Sequence, residues 1–344
     1  MSPISMSSTM KAAIVLLLPF AYAAPAFPPP AELTQGVVNS NISLIAGGTL
    51  PNNTAAVATG IAVTGLQLLA SLENIEAFFY SDAIQNLTSG VYTTGDLLLN
   101  DTIEIIEKIA AQEEVHVATV GAVLRLNSAP VVPPCKYTFP ATNFDEFLGV
   151  ANLITSTNFG SVIGLQQQLG GSAPALSPAT TAILGVETRH DAFLRILHGV
   201  VPNPAPFDTA IPIAWAYNIG LRYTVPGSCP VEVPLPTYPQ LSFDPAKPPS
   251  FASASYPSTI SFAWDDQQAW VQREKGKQLY AAWVNQYNLP VYTPVTVTGA
   301  GSGITPVPKD MQAVAFVALT TLQPLDFTDL QDATLVGPLA IAVS

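Results

Sequence analysis

Two of the three histidines in this 344-residue chain stand three residues after a glutamate: Glu113 with His116 in AAQEEVHVATV, and Glu187 with His190 in LGVETRHDAF. Residues three apart on a helix share a face, so each pair aims a carboxylate and an imidazole in one direction. Two such helices face to face surround one centre with a donor set that can hold two metal ions between four helices.

The flanking sequence supplies the four helices, all between residues 55 and 199. In the first, Leu66, Leu69, Ala70, Glu73, Ala77, Tyr80 and Ile84 fall on one face. Glu73 therefore sits within an apolar stripe, and a buried carboxylate needs a metal, a cation or a proton. Glu76, one turn on, can play the same part. The second helix has a start signal at Asn100-Asp101-Thr102 and buries Ile103, Ile106, Ala110, Glu113, His116, Val120 and Leu124. That phase leaves Glu104 and Glu114 to solvent. After a proline-rich connection at 127–142, the third helix runs from Asn143 to Leu169, with Leu148, Ala151, Thr155, Phe159 and Val162 along one stripe. Ser177-Pro178 opens the fourth, since proline is tolerated in a first turn. Its inner face is Thr180, Ile183, Glu187, His190, Leu194 and Leu197, and Gly199 stops it. Short, long and short connections make two helical hairpins joined by one crossover. Tyr80 is expected as a core tyrosine bonded to a carboxylate, Asp191 at the surface, and His198 at the negative end of its helix.

Residues 1–23 read as a secretory signal peptide. Lys11 supplies the charge, Ala12 to Phe20 is an apolar run too short to span a bilayer, and Ala21-Tyr22-Ala23 fits a small-residue cleavage site. Sequons at Asn41, Asn52, Asn86 and Asn100 fit a secreted glycoprotein, extracellular or in the cell wall. In that compartment Cys135 and Cys229 are expected to form a disulfide. The net charge of −12 excludes the phosphate-neutralising surface that nucleic-acid binding needs. Only 10% of residues are charged and 49% are hydrophobic, which argues for filled cores rather than disorder.

After Pro202 the helical period fades. Apolar runs at Thr259–Trp264, Leu279–Val284, Val291–Thr298, Ala313–Thr321 and Leu335–Val343 alternate with Pro, Gly and Asp clusters. They predict short strands of an immunoglobulin-like β-sandwich. A helix over Asp265 to Asn285 is the rival, and the last run also imitates a GPI-anchor signal. The expected architecture is thus α+β and multidomain: an N-terminal linker at 24–54, a four-helix bundle at 55–200, a proline-rich connector at 201–240 and a β-rich domain at 241–344. Nucleophile elbows, phosphate-binding glycine loops and CxxC pairs are absent from the sequence.

LQLLASLENIEAFFYSDAI, the second helix, ILGVETRHDAFLRILHG and the later NIGLRYTVPGSCP resemble the ferritin-like proteins secreted by fungi, described as stress-response or late-sexual-development proteins. The resemblance implies Glu73, Glu113, His116, Glu187 and His190 as metal ligands, with Tyr80 and Thr155 around them. Thr155 stands where the family pattern has a further glutamate, leaving three carboxylates and two imidazoles of a full four and two. The implied cofactor is iron or manganese, with zinc a third option. Any catalysis would be that of a mono- or di-metal oxidoreductase acting on dioxygen or peroxide. The alternative is a non-enzymatic extracellular or cell-wall structural protein, its bundle a metal-free scaffold and its β domain the contact to a wall partner.

Overall fold

The computed structural model describes residues 37–52, 57–94, 99–245 and 257–343, without the side chains of residues 99 and 100. The stretch read as a signal peptide, part of the Asn52 sequon and the side chain of Asn100 lie outside the described residues. The stretch read as an N-terminal linker contains a helix, α1 (Ser40–Ala46), capped by the Asn39 side chain and ended by Gly47 at φ +80°. Its Ile42 and Ala46 are buried against Ala111.

The bundle comprises α2 (Ile61–Thr88), α3 (Leu99–Leu126), α4 (Phe144–Ser172) and α5 (Ser177–Leu197). α2 packs on α3 and on α4, and α4 packs on α5. Asn143 caps α4 through Glu146 N, and Glu146 reaches back to Thr142 N and Oγ1, so the helix start is fixed from both sides. Among the described residues α4 alone is long and apolar enough to cross a membrane, and it is mostly buried inside the protein. A disulfide joins Cys135, in the crossover between α3 and α4, to Cys229.

The stretch read as a connector is part of the core. Residues 209–211 lie across α4 at Gly160 and Gly164, where a Cβ would come within 2.6 Å and 2.1 Å of the carbonyl oxygens of Thr209 and Ile211. The chain then enters α6 (Ile213–Gly220), whose eight residues are all buried. IAWAYNIG has one strongly polar residue, Asn218, whose side chain is hydrogen-bonded to Ala214 O, Pro236 O and Tyr238 N, and a helix otherwise so apolar belongs inside.

Seven antiparallel strands follow: β1 (Leu241–Phe243), β2 (Thr259–Trp264), β3 (Leu279–Val284), β4 (Val291–Gly299), β5 (Ser302–Pro306), β6 (Val314–Thr320) and β7 (Val336–Ala342). Their order is β1-β2-β5-β4-β3-β6-β7, and β1 returns to touch β7. Read as β1-β2-β5-β4 facing β3-β6-β7, this is the strand order of the two immunoglobulin sheets, with the β3–β4 hairpin joining them at one edge. The rival helix at 265–285 is confined to α7 (Ala269–Arg273), before Gly276 at φ +83° starts the turn into β3. The run that imitates an anchor signal is the buried strand β7, preceded by α8 (Phe327–Ala333).

β6 shows how the two parts join. Its residues are buried on both faces: Ala315, Val317 and Leu319 enter the sandwich core, while Phe316 and Ala318 enter the core shared with the bundle. β3 does the same, with Ala281 and Trp283 on one side and Ala282 and Val284 on the other. The period of two thus sorts one strand between two cores. Thr209 Oγ1 donates to Val314 O and Trp215 Nε1 to Thr334 Oγ1, both at buried positions of the seam.

Candidate metal centre

Glu73 and Glu76 come from α2, Glu113 and His116 from α3, Glu187 and His190 from α5, and all six are buried. The four glutamates are fully so, at 0% exposure. Their helical phases bring them to one level of the bundle. One donor atom each from Glu73, Glu113, His116 and Glu187 lies within 4.8 Å of the others.

His116 Nδ1 is 3.0 Å from Glu187 Oε1, 3.1 Å from Glu113 Oε2 and 3.2 Å from Glu73 Oε2. A ring nitrogen carries at most one hydrogen, so it cannot donate to three carboxylates at once. His190 Nδ1 lies 2.8 Å from Glu113 Oε1 and 3.6 Å from Glu187 Oε2. Glu113 and Glu187 therefore each offer one oxygen to His116 and the other to His190. Several of these approaches lack hydrogen-bond geometry: Glu113 Oε1, both oxygens of Glu187, Glu76 Oε1 and His190 Nδ1 are buried without a hydrogen bond. Donors held about 2.1 Å from a common divalent ion in octahedral directions are themselves about 3 Å apart. The spacing and the orphaned atoms fit that arrangement, and an oxygen and imidazole donor set suits iron, manganese or zinc.

The electrostatics point the same way. Burial raises the Glu73 carboxyl against the opposing pull of His116. Glu76 is pushed well above the usual carboxylate range by burial and then by the charges of Glu187, Glu113 and Glu73. Burial alone would lower His116, but Glu73, Glu113 and Glu187 outweigh it and hold the ring well above its ordinary value. For His190 burial is likewise outweighed, chiefly by Glu113, and the ring is raised to about 9. So many acidic groups in a dry core require protons or cations.

Other residues frame the cluster. On α4, the Asn158 amide donates to Glu73 Oε1 at 3.3 Å and to Glu76 Oε2. Thr155 is fully buried, and its Oγ1 lies 3.0 Å from the Tyr80 hydroxyl, so Tyr80 bonds a hydroxyl rather than a carboxylate. Gln112 Oε1 is 2.7 Å from His190 Nε2. The Glu-x-x-Glu spacing at Glu73 and Glu76 repeats that of the Glu-x-x-His pairs and marks Glu76 as a member. Nothing in the sequence marks Gln112.

Two expectations around the site are corrected. Glu114 is 2% exposed rather than solvated, and burial lifts its carboxyl to about 8. It stands beside the stripe, yet α3 is covered by both α2 and α1. Asp191 is also buried and accepts from Asn152 Nδ2 at 2.8 Å, with burial raising it to about 6. His198 stands at the C-terminal end of α5, the position expected of it, and its Nε2 is 3.4 Å from Asp145 Oδ1.

Comparison with known proteins agrees with this geometry. Residues 62–200 match the family described as ferritin-like domain. Protein rds1 of Schizosaccharomyces pombe is similar to this chain, 24% identical over 291 residues that cover 68% of the chain and 69% of the relative. The chain carries a ferritin-like domain at 62–200, with a buried glutamate–histidine cluster at its centre, followed by an antiparallel β-sheet domain.

Proposed function

We propose that the bundle holds two divalent metal ions, Glu73 and His116 serving one, Glu76 and His190 the other, with Glu113 and Glu187 shared. The carrying observation is that each shared carboxylate divides its two oxygens between the two imidazoles. Glu76 supplies the fourth carboxylate that Thr155 does not, so four negative charges balance two divalent ions. Iron or manganese bound there would supply redox chemistry toward dioxygen or peroxide, whereas zinc would not. The chain's own part is to exclude water with the apolar walls of α2–α5, to keep the carboxylates close, and to hold Glu73 and Glu76 through Asn158.

The setting we propose is extracellular. The disulfide suits an oxidising compartment, and the Asn41 sequon is exposed on α1. Resemblance to secreted fungal proteins supports a role in stress response or sexual development, and the β domain is our candidate for the contact to a wall or extracellular partner. A metal-free scaffold is the second reading, favoured by Thr155 in place of a glutamate. Elemental analysis of protein from a secreting host separates them. Two metal ions per chain in the wild type, lost from a His116→Ala/His190→Ala variant, support the metal centre; a wild type without metal after incubation with ferrous, manganous and zinc salts supports the scaffold.

A further inference from the structure

α1 lies outside the matched domain, yet it ends against the metal-centre helix α3. Ala46 is its last residue, and a terminal helical carbonyl has no partner within its own helix. Gly47, at φ +80°, turns the chain away. Gln112 Nε2 donates to the Ala46 carbonyl at 3.1 Å. A carbonyl only accepts, so the nitrogen of the Gln112 amide faces Ala46 and its Oε1 faces His190 Nε2, 2.7 Å away. That oxygen also only accepts, so Nε2 carries the hydrogen. Nδ1, which points among the carboxylates of Glu113 and Glu187 with no hydrogen bond of its own, is the ring atom left to bind an ion.

We infer that α1 and Gln112 are working parts of the metal centre: the Ala46 carbonyl orients the Gln112 amide, and the amide holds His190 with Nδ1 as its ligating atom. The inference rests on the metal reading above and extends it to a helix that the ferritin-like match does not include. Gln112 is a positioning residue, acting through His190. Beside the Gln112 bond, the hold of α1 on α3 is apolar, through Ile42 and Ala46 on Ala111 and Val115. Because Gln112 reaches His190, the segment before the domain is coupled to the ion at His190 rather than to the one at His116. Partners that orient a metal-bound histidine are typically worth about 10–100-fold in metal affinity.

The test titrates zinc alone into the demetallated full-length protein, as wild type, Gln112→Leu, Gln112→Glu and Ile42→Asp, each checked for native helix content. One of two zinc ions is expected to bind about 10–100-fold more weakly in Gln112→Leu, the other staying unchanged. Gln112→Glu keeps an acceptor for Nε2 but has no donor for the Ala46 carbonyl, so its affinity should fall between those of wild type and Gln112→Leu. Ile42→Asp, which loosens α1 without touching the cluster, should weaken the same ion as Gln112→Leu. Nitrogen-15 shifts of the histidine rings in the zinc-loaded wild type should show His190 bound through Nδ1 and protonated at Nε2. Two zinc ions held equally well by wild type and Gln112→Leu, or His190 bound through Nε2, would overturn this inference and leave the metal centre standing. A wild type that takes up no zinc overturns both.

Discussion

The hydroxyls of Tyr80 and Thr155 meet 3.0 Å apart in the interior, tying α2 to α4 where the resemblance places a glutamate. Burial, and then the charges of Glu76 and Glu113, keep the Tyr80 phenol protonated well beyond its usual range. A carboxylate at 155 would therefore find a donor waiting. If Glu76 has taken over the role of the α4 glutamate, Glu76→Gln lowers the zinc count from two to one. Adding Thr155→Glu to that variant brings the count back to two, while Thr155→Glu alone leaves it at two. Elemental analysis after gel filtration reads all three, and two tightly held ions in Glu76→Gln would refute the exchange.

Trp215 joins the two domains. Its side chain is fully buried in α6, and its indole donates to Thr334 Oγ1 beside β7. Trp215→Ala removes the largest buried side chain at the seam and leaves the Thr334 hydroxyl without that donor, a cost of about 3–5 kcal/mol. Because β3 and β6 bury one face in the shared core, the loss should be felt by both domains. Guanidinium unfolding followed by tryptophan fluorescence and by far-ultraviolet dichroism should shift together to lower denaturant. A bundle that keeps its midpoint while the sheet melts early would show the two cores to be independent.

The Cys135–Cys229 bond encloses a span of 94 residues that contains α4, α5 and α6. Closing a loop of this size stabilises by up to about 4–5 kcal/mol in the chain-entropy model. Intact protein should show no reactive thiol and two after denaturing reduction. A Cys135→Ser/Cys229→Ser pair should unfold at lower denaturant by an amount in that range. Unchanged stability would mean that the backbone pairing alongside, Tyr137 with Thr224, holds the segment without covalent help.

Helix phase explains what was legible in the sequence. Glu73, Glu113, His116, Glu187 and His190 stand on apolar stripes of period 3.6, where a polar residue contradicts its surroundings and so announces itself. α6 has no polar face against which a stripe could be seen. α1 is short and gains its place from packing on α3, not from its own pattern. Glu114 and Asp191 lie beside the stripes, in positions that only the neighbouring elements decide. Glu76 needed both kinds of information: the spacing suggested it, and the cluster around Asn158 gave it a place. In the β domain the strands were legible from their apolar runs, but the double burial of β6 was not, because continuous burial does not reveal which core each face enters.

The acid limb of stability should report on the β domain, away from the metal cluster. Glu274, just after α7, accepts from Lys277 Nζ at 2.9 Å, Thr321 Oγ1 at 2.9 Å and Arg273 Nε at 3.1 Å. These bonds, led by Lys277, hold its carboxyl down at about 2, against 4.5 unperturbed. A lowered acid favours the folded state wherever the group is ionised in both states. The contribution is therefore fully present above pH 4.5 and fades as the pH falls toward 2. Exposed pairs of this kind are individually weak, and added salt should weaken them further. Glu274→Gln should lower the melting temperature at pH 7 by a few degrees, and the gap to wild type should close as the pH approaches 2. Calorimetry at a series of pH values reads this directly. A gap that persists unchanged through the acid range would assign the effect to the lost Thr321 contact at the end of β6 rather than to the charge.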